Sequence, residues 1–277
     1  MKSRPLSRIR VACLQYGAGN CWQQNLDNVL LLTARALKKS PHLVALPENF
    51  IWRGEASSIG RVSRESSAEV LAIFQKLAKR SGTAFLLGSM LEPSKNHRKH
   101  YNTSYLISPE GRVLAKYRKI HLFDIGMHAG LRVKESRHIA PGKKVVFGKL
   151  WGVKFGLTIC YDLRFPEIYR RLAFSGCRVV FVPANFTRET GRAHWDLLLR
   201  ARAIENQMFV VAPAQTGINP ESKIPSFGNS RIIDSWGRIL AKAGDGNNHI
   251  LFAEMKLGEQ TKLRSHFPVL QHRRLSV

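Results

Sequence analysis

Apolar positions along this chain come in short blocks of two kinds. Residues 9–15, 42–46, 84–90, 101–107, 153–160, 178–183, 209–214, 231–234 and 250–255 form strand-like runs. Between several of them apolar residues recur at helical spacing: Leu26, Val29, Leu30, Thr33, Ala34 and Leu37, then Val70, Ile73, Phe74, Leu77 and Ala78. A third, less regular set is His194, Leu197, Leu198, Ala201 and Ile204. Val179-Val180-Phe181-Val182 and Phe209-Val210-Val211-Ala212 are apolar at every position, so both faces of their sheet should be covered. Ser108-Pro109-Glu110-Gly111 and Asp234-Ser235-Trp236-Gly237 read as turns between paired strands. Hairpins mixed with crossovers predict a layered α/β sandwich rather than a barrel. No repeat, linker or composition step divides the chain, so a single domain over 1–277 is expected.

Composition narrows the class. With 44% hydrophobic and 23% charged residues in 277, disordered and collagen-like chains are excluded. Cys13, Cys21, Cys160 and Cys177 show neither a C-x-x-C pair nor a zinc-like spacing with histidine, so no disulfide framework and no metal is expected. No apolar run suits a signal peptide or a membrane span, which predicts a soluble cytoplasmic protein without a membrane partner. One number is abnormal: 44 Lys+Arg against 19 Asp+Glu, a formal charge of +25. That surplus points to an anionic partner, nucleic acid being the obvious reading. It is densest at 95–100, 116–119, 132–149 and Arg273-Arg274, interleaved with core segments, as basic loops on one folded body would be.

The common nucleotide, serine-hydrolase and zinc-protease motifs are absent. The informative segment is Ile159-Cys160-Tyr161-Asp162-Leu163-Arg164-Phe165-Pro166, where an apolar strand ends at a cysteine and a helix starts near a proline. A cysteine at such a corner is expected to be exposed, its pKa lowered by nearby backbone N–H groups that also suit an oxyanion. A buried, inert cysteine fits the pattern too. The usual proton acceptor is histidine, yet His121, His128, His138 and His194 sit in no known Cys–His signature. Leu46-Pro47-Glu48 instead puts a carboxylate at the end of an apolar strand, where it needs a partner. Tyr117-Arg118-Lys119 ends another strand in a lysine, so a structural Glu–Lys pair is open beside a catalytic one.

These three segments, in this order and spacing, resemble the nitrilase superfamily of carbon–nitrogen hydrolases. Further similarity runs through Val11-Ala12-Cys13-Leu14-Gln15, Glu135-Ser136, Ala193-His194-Trp195, Arg200-Ala201-Arg202-Ala203-Ile204-Glu205 and Gln271-His272-Arg273-Arg274. Within the superfamily the wording is similar to the branch holding omega-amidase and deaminated-glutathione amidase. The resemblance implies a four-layer αββα sandwich of two mixed β-sheets flanked by helices, with a core over about 8–256 and a C-terminal extension over 257–277. It also implies pairing with a second copy, as a homodimer or higher homo-oligomer, and no cofactor.

By the same resemblance, Glu48, Lys119 and Cys160 form the triad, with Glu135 as a second glutamate in the site. The implied reaction cleaves a small carboxylate-bearing amide to acid plus ammonia through a Cys160 thioester. Glu48 moves the proton, while Lys119 and the Tyr161 backbone N–H hold the oxyanion. Arg164 is the candidate carboxylate clamp, with a buried pair to Glu205 as its alternative, and Asn185, Phe186 and Thr187 match the substrate-facing loop. Competing readings are a nitrilase, an N-carbamoyl amine hydrolase or aliphatic amidase, and a nucleic-acid-binding protein on a hydrolase fold. The motifs turn the anion flagged by composition from nucleic acid toward a small carboxylate, with most of the surplus charge expected on loops outside the site.

Overall fold

The computed structural model describes residues 6–94, 99–126 and 132–275, with Arg132 described through its backbone alone. The charge run at 95–98 and His128 therefore lie outside the described residues. Fourteen strands among these residues form two six-stranded sheets and one two-stranded ribbon. The first sheet runs β14 (His249–Lys256), β1 (Arg8–Gln15), β2 (Leu43–Ala45), β3 (Ala84–Pro93), β4 (His100–Ile107), β5 (Val113–Arg118). The second runs β8 (Val146–Leu150), β9 (Val153–Leu157), β10 (Val179–Phe181), β11 (Phe209–Ala212), β12 (Arg231–Ile233), β13 (Ile239–Lys242). The ribbon pairs β6 (Asp124–Gly126) with β7 (Arg132–Lys134).

Both large sheets carry the same sequence of directions: one antiparallel pairing, two parallel, then two antiparallel. The chain thus builds one motif twice without a sequence repeat to announce it. Glu48 and Asn185 follow the equivalent strands β2 and β10, a relation that matters at the site.

Side-chain alternation explains the layers. In β1, Ile9, Val11 and Cys13 join a core between the sheets, while Ala12 and Leu14 join a second core under α1 (Trp22–Leu37) and α2 (Ile59–Ser81). β2 does the same, with Leu43 and Ala45 on one side and Val44 on the other. Strands buried on both faces must read as continuous apolar runs, which is the pattern seen in the sequence. α3 (Pro166–Phe174) and α4 (Arg188–Asn206) supply Leu172, Trp195 and Leu199 to cover the second sheet, completing a four-layer αββα sandwich.

The third helical set is a correction. α4 buries Trp195, Leu199, Arg202, Ala203 and Asn206, whereas Leu197 and Ile204 are 70% and 47% exposed. The expected apolar face is therefore not the one that meets the core. α5 (Leu257–His266) has no apolar stripe to reveal it; buried Gln260 holds it by accepting from Arg178 and donating to the carbonyl of Gln207 at 2.8 Å.

Candidate active site

Leu46-Pro47 leaves β2 while still bonded to its neighbour, the Leu46 N–H donating to Leu86 O at 2.9 Å. A bulge in β3 at Gly88-Ser89 accommodates it. A Cβ on Gly88 would stand 2.0 Å from Leu46 O, so only glycine permits this approach. Glu48 is thereby delivered to a position only 3% exposed. Its Oε1 accepts from Lys119 Nζ at 3.0 Å and from Asn102 Nδ2 at 3.0 Å, and its Oε2 from the Asn185 backbone N–H at 2.7 Å.

Lys119 follows β5 at the sheet edge, its N–H donating to Asn102 O at 2.9 Å and its carbonyl accepting from Gly142 at 2.7 Å. Its ammonium also meets Glu135 at 2.9 and 3.2 Å. Glu135 opens a 3₁₀ turn after β7 and is held there by the Phe123 N–H at 2.7 Å and Asn102 Nδ2 at 3.3 Å. Burial opposes the lysine's charge, but Glu135 and Glu48 outweigh it and hold its pKa well above the ordinary value. An ammonium has three protons. Three carboxylate oxygens accept from it, so an incoming oxygen gains a proton by displacing the longest contact, that to Glu135 at 3.2 Å.

Cys160 starts a 3₁₀ turn of residues Cys160–Arg164 with φ 49, left-handed backbone that a non-glycine residue rarely adopts. Asp162, fully buried, imposes this corner. Its Oδ2 accepts from the Ile159 N–H at 2.8 Å and from the Tyr117 hydroxyl at 2.7 Å, and its Oδ1 from the His121 N–H at 3.1 Å. One carboxylate thus ties the cysteine turn to the strand end that carries Lys119.

Two expectations for Cys160 need correcting. It is 7% exposed rather than open at a sheet edge, because the loops after β5, β7 and β10 roof it. Its pKa is raised well above the ordinary value rather than lowered, by burial and then by Glu48, to which the thiol is hydrogen-bonded. The resting group is a thiol with a carboxylate in place to receive its proton. No described histidine fills that role, His121 bonding Asp162 at 2.7 Å and His194 bonding Arg164 at 3.3 Å.

All nine candidate residues line one cavity of about 510 Å³ with Cys160, Glu48 and Lys119 at its floor. Among the described residues Arg164 pairs with no carboxylate. Its guanidinium lies 5.4 Å from the Phe186 ring and 5.7 Å from Tyr161, while Glu205 pairs with Arg202 at 2.9 Å. Asn185 faces the floor through its backbone, since its side chain accepts from Ser226. Thr187 spends its hydroxyl capping α4, accepting from the Thr190 N–H at 3.3 Å. Lys134 and Arg137 also line the cavity, so part of the charge expected outside the site belongs to it.

The carbon–nitrogen hydrolase family profile matches residues 10–265. The chain belongs to that family. Among curated members it is 39% identical over 266 residues to the deaminated glutathione amidase of Synechocystis, covering 95% of this chain and 97% of that protein. It is 33% identical over 269 residues to the mouse omega-amidase NIT2, covering 97% and 96%. Among solved structures, Saccharomyces cerevisiae Nit3, a member of branch 10 of the nitrilase superfamily, superposes with TM-score 0.87 at 30% identity over 98% of both chains. For this carbon–nitrogen hydrolase, sequence reasoning missed Asn102, which bridges both glutamates. It also missed the anchoring carboxylate of Asp162, although the residue lies inside the cysteine motif.

Proposed function

We propose that this protein is an amidase that hydrolyses a small carboxylate-bearing amide through a thioester on Cys160. The observation that carries the reading is the buried contact of a thiol, a carboxylate and an ammonium at the floor of a ligand-sized cavity. Glu48 takes the Cys160 proton as sulfur bonds to the amide carbon. The negative charge that develops on the carbonyl oxygen is received by the Lys119 ammonium, in exchange for its longer contact to Glu135, and by the Tyr161 N–H, a donor of this kind contributing about 3 kcal/mol. When the tetrahedral species collapses, the C–N bond breaks and Glu48 returns its proton to the departing nitrogen. Water then attacks the thioester, giving a proton to Glu48, and C–S cleavage frees the acid and restores the thiol. Glu135 and Asn102 hold Lys119 and Glu48 in place.

Arg164, between two aromatic rings and with no protein carboxylate, suits the free carboxylate of the substrate's acyl half. The substrates in view are 2-oxoglutaramate and deaminated glutathione. The first is a primary amide and yields ammonia. The second has no primary amide, so its cleavage yields an amine, and both products must be measured. Release of 2-oxoglutarate from either compound, lost in Cys160→Ala, is expected. Activity on every amide surviving Cys160→Ala overturns the mechanism.

Self-association into a homodimer belongs to the same proposal. Leu197 and Ile204 on α4 are apolar side chains left largely exposed in the single chain. Light scattering on wild type and Leu197→Glu tests it. No helix among the described residues is long and apolar enough to cross a membrane, and the four cysteines are free thiols, which is compatible with a reducing cytoplasm.

A further inference from the structure

The deep and shallow parts of the cavity carry opposite charge. At the floor, Lys119 faces Glu48 and Glu135, one formal positive against two negative. Among the described residues nearer the mouth stand Lys134, Arg137 and Arg164, against the single carboxylate of Glu221. Glu221 is engaged by the Ala56 N–H at 3.2 Å. Lys134 feels Asp124, but that carboxylate accepts from the Ser136 N–H at 2.9 Å and forms no ion pair with it. No ion pair or side-chain hydrogen bond joins Arg137 to the described residues.

We infer that Arg137 and Lys134 form a second anion subsite, which takes a carboxylate on the amine side of the scissile amide. The preferred substrate class is then an amide with one carboxylate on each side of the bond that breaks. This rests on the amidase reading above and specifies what that site selects.

Three features support the division of labour. Arg164 shares the five-residue turn of Cys160, so it reaches a carboxylate on a short acyl chain held at the sulfur. Arg137 and Lys134 come from a different segment, flanking Glu135 in the chain, and line the same cavity. A carboxylate is repelled by the net negative floor, so both acidic ends of a substrate must lie toward the mouth, where the cations are. The cavity of about 510 Å³ is also far larger than a five-carbon amide acid fills, leaving room for a peptide-like amine half. Once the thioester forms, the amine half departs from the mouth without passing the floor carboxylates.

The test compares deaminated glutathione with the same molecule whose terminal carboxylate is capped as an N-methylamide, reading released 2-oxoglutarate. Wild type should favour the charged compound by about fivefold or more in kcat/KM, mostly through KM. Added salt should shrink that preference. The double variant Arg137→Gln, Lys134→Gln should bring the ratio close to one, and Arg137→Lys should keep part of it. Arg164→Gln should weaken both compounds and leave the ratio standing. Because the ratio is taken within each preparation, partly unfolded protein cannot imitate the effect. A wild-type ratio near one, or an unchanged ratio in the double variant, overturns the inference while leaving the amidase reading intact. Failure to hydrolyse either compound or 2-oxoglutaramate overturns both.

Discussion

The floor and the mouth of the cavity are built on opposite principles. At the floor, Lys119 and Glu48 are 2% and 3% exposed, and Lys119 and both glutamates are paired. At the mouth, Arg164 is half-buried and Arg137 and Lys134 are exposed, none of them in an ion pair among the described residues. A buried charge without a partner costs several kcal/mol, so the floor tolerates no variation that leaves one over. An exposed cation is solvated and costs almost nothing, so the mouth can change to suit a ligand. Chemistry is therefore locked to the fold, while selectivity is left free to move.

The largest effect that separates the two regions is expected at Lys119. Lys119→Met leaves buried Glu48 and half-buried Glu135 without their shared cation and removes the proposed oxyanion donor. A loss of about 3–5 kcal/mol in stability by urea denaturation is expected. Turnover should fall by at least about 100-fold. The pKa of Lys119 is raised in the folded state, so its stabilisation is complete below the unfolded value of 10.5 and is lost only as pH climbs through the higher folded value. The stability gap between wild type and Lys119→Met should thus stay constant from about pH 7 to about pH 9. A gap that closes in that interval would mean that the floor does not hold the lysine charged.

Glu48→Gln comes next, keeping volume and the acceptor on one side while removing the proposed base and turning an NH2 group toward a donor. Because burial and Glu48 keep Cys160 protonated at rest, a site with no acceptor has no thiolate to offer. Turnover should drop by roughly 100- to 10,000-fold with the fold retained by circular dichroism. Near-normal turnover would assign the proton to another group.

How far these regions could be read in advance follows from the same contrast. Glu48 and Cys160 end apolar strands, where a charged or nucleophilic side chain stands out against its neighbours, whereas Lys119 sits in the charged run 116–119 and was singled out by the family resemblance. Asn102 gave no such signal, since a neutral amide in β4 is unremarkable until the two glutamates 54 and 33 positions away are brought to it. The parallel strands were legible because burial on both faces writes itself as unbroken apolar runs. α5 was not, because side-chain hydrogen bonds from Gln260 and Arg264 hold it in place of an apolar stripe. For α4 the regular apolar positions marked a face outside the monomer core, and periodicity alone does not say which partner a face awaits.

Asn102→Leu probes the floor without altering its formal charge. It strips one donor from Glu48 and one from Glu135, leaving Glu48 to Lys119 and the Asn185 N–H, and Glu135 to Lys119 and the Phe123 N–H. A buried group losing a hydrogen bond costs about 1–3 kcal/mol. Of that, the share that reaches the transition state should lower kcat by about 10-fold with KM little changed. A pure loss of stability with normal kcat in the folded fraction would reduce Asn102 to packing.

The smallest and most selective effect belongs to the mouth. Arg164→Gln should leave denaturation midpoints almost unmoved, because the guanidinium rests on Phe186 and Tyr161 and pairs with no acid among the described residues. It should raise KM for carboxylate-bearing amides by roughly fivefold and for neutral amides much less. The kinetic signature is opposite to that at the floor: weaker binding at unchanged commitment to chemistry, as expected when a contact holds ground state and transition state equally. Equal KM increases for charged and neutral amides would show that Arg164 shapes the wall instead of reading charge. The division between a fixed floor and a selective mouth would then have to rest on Arg137 and Lys134.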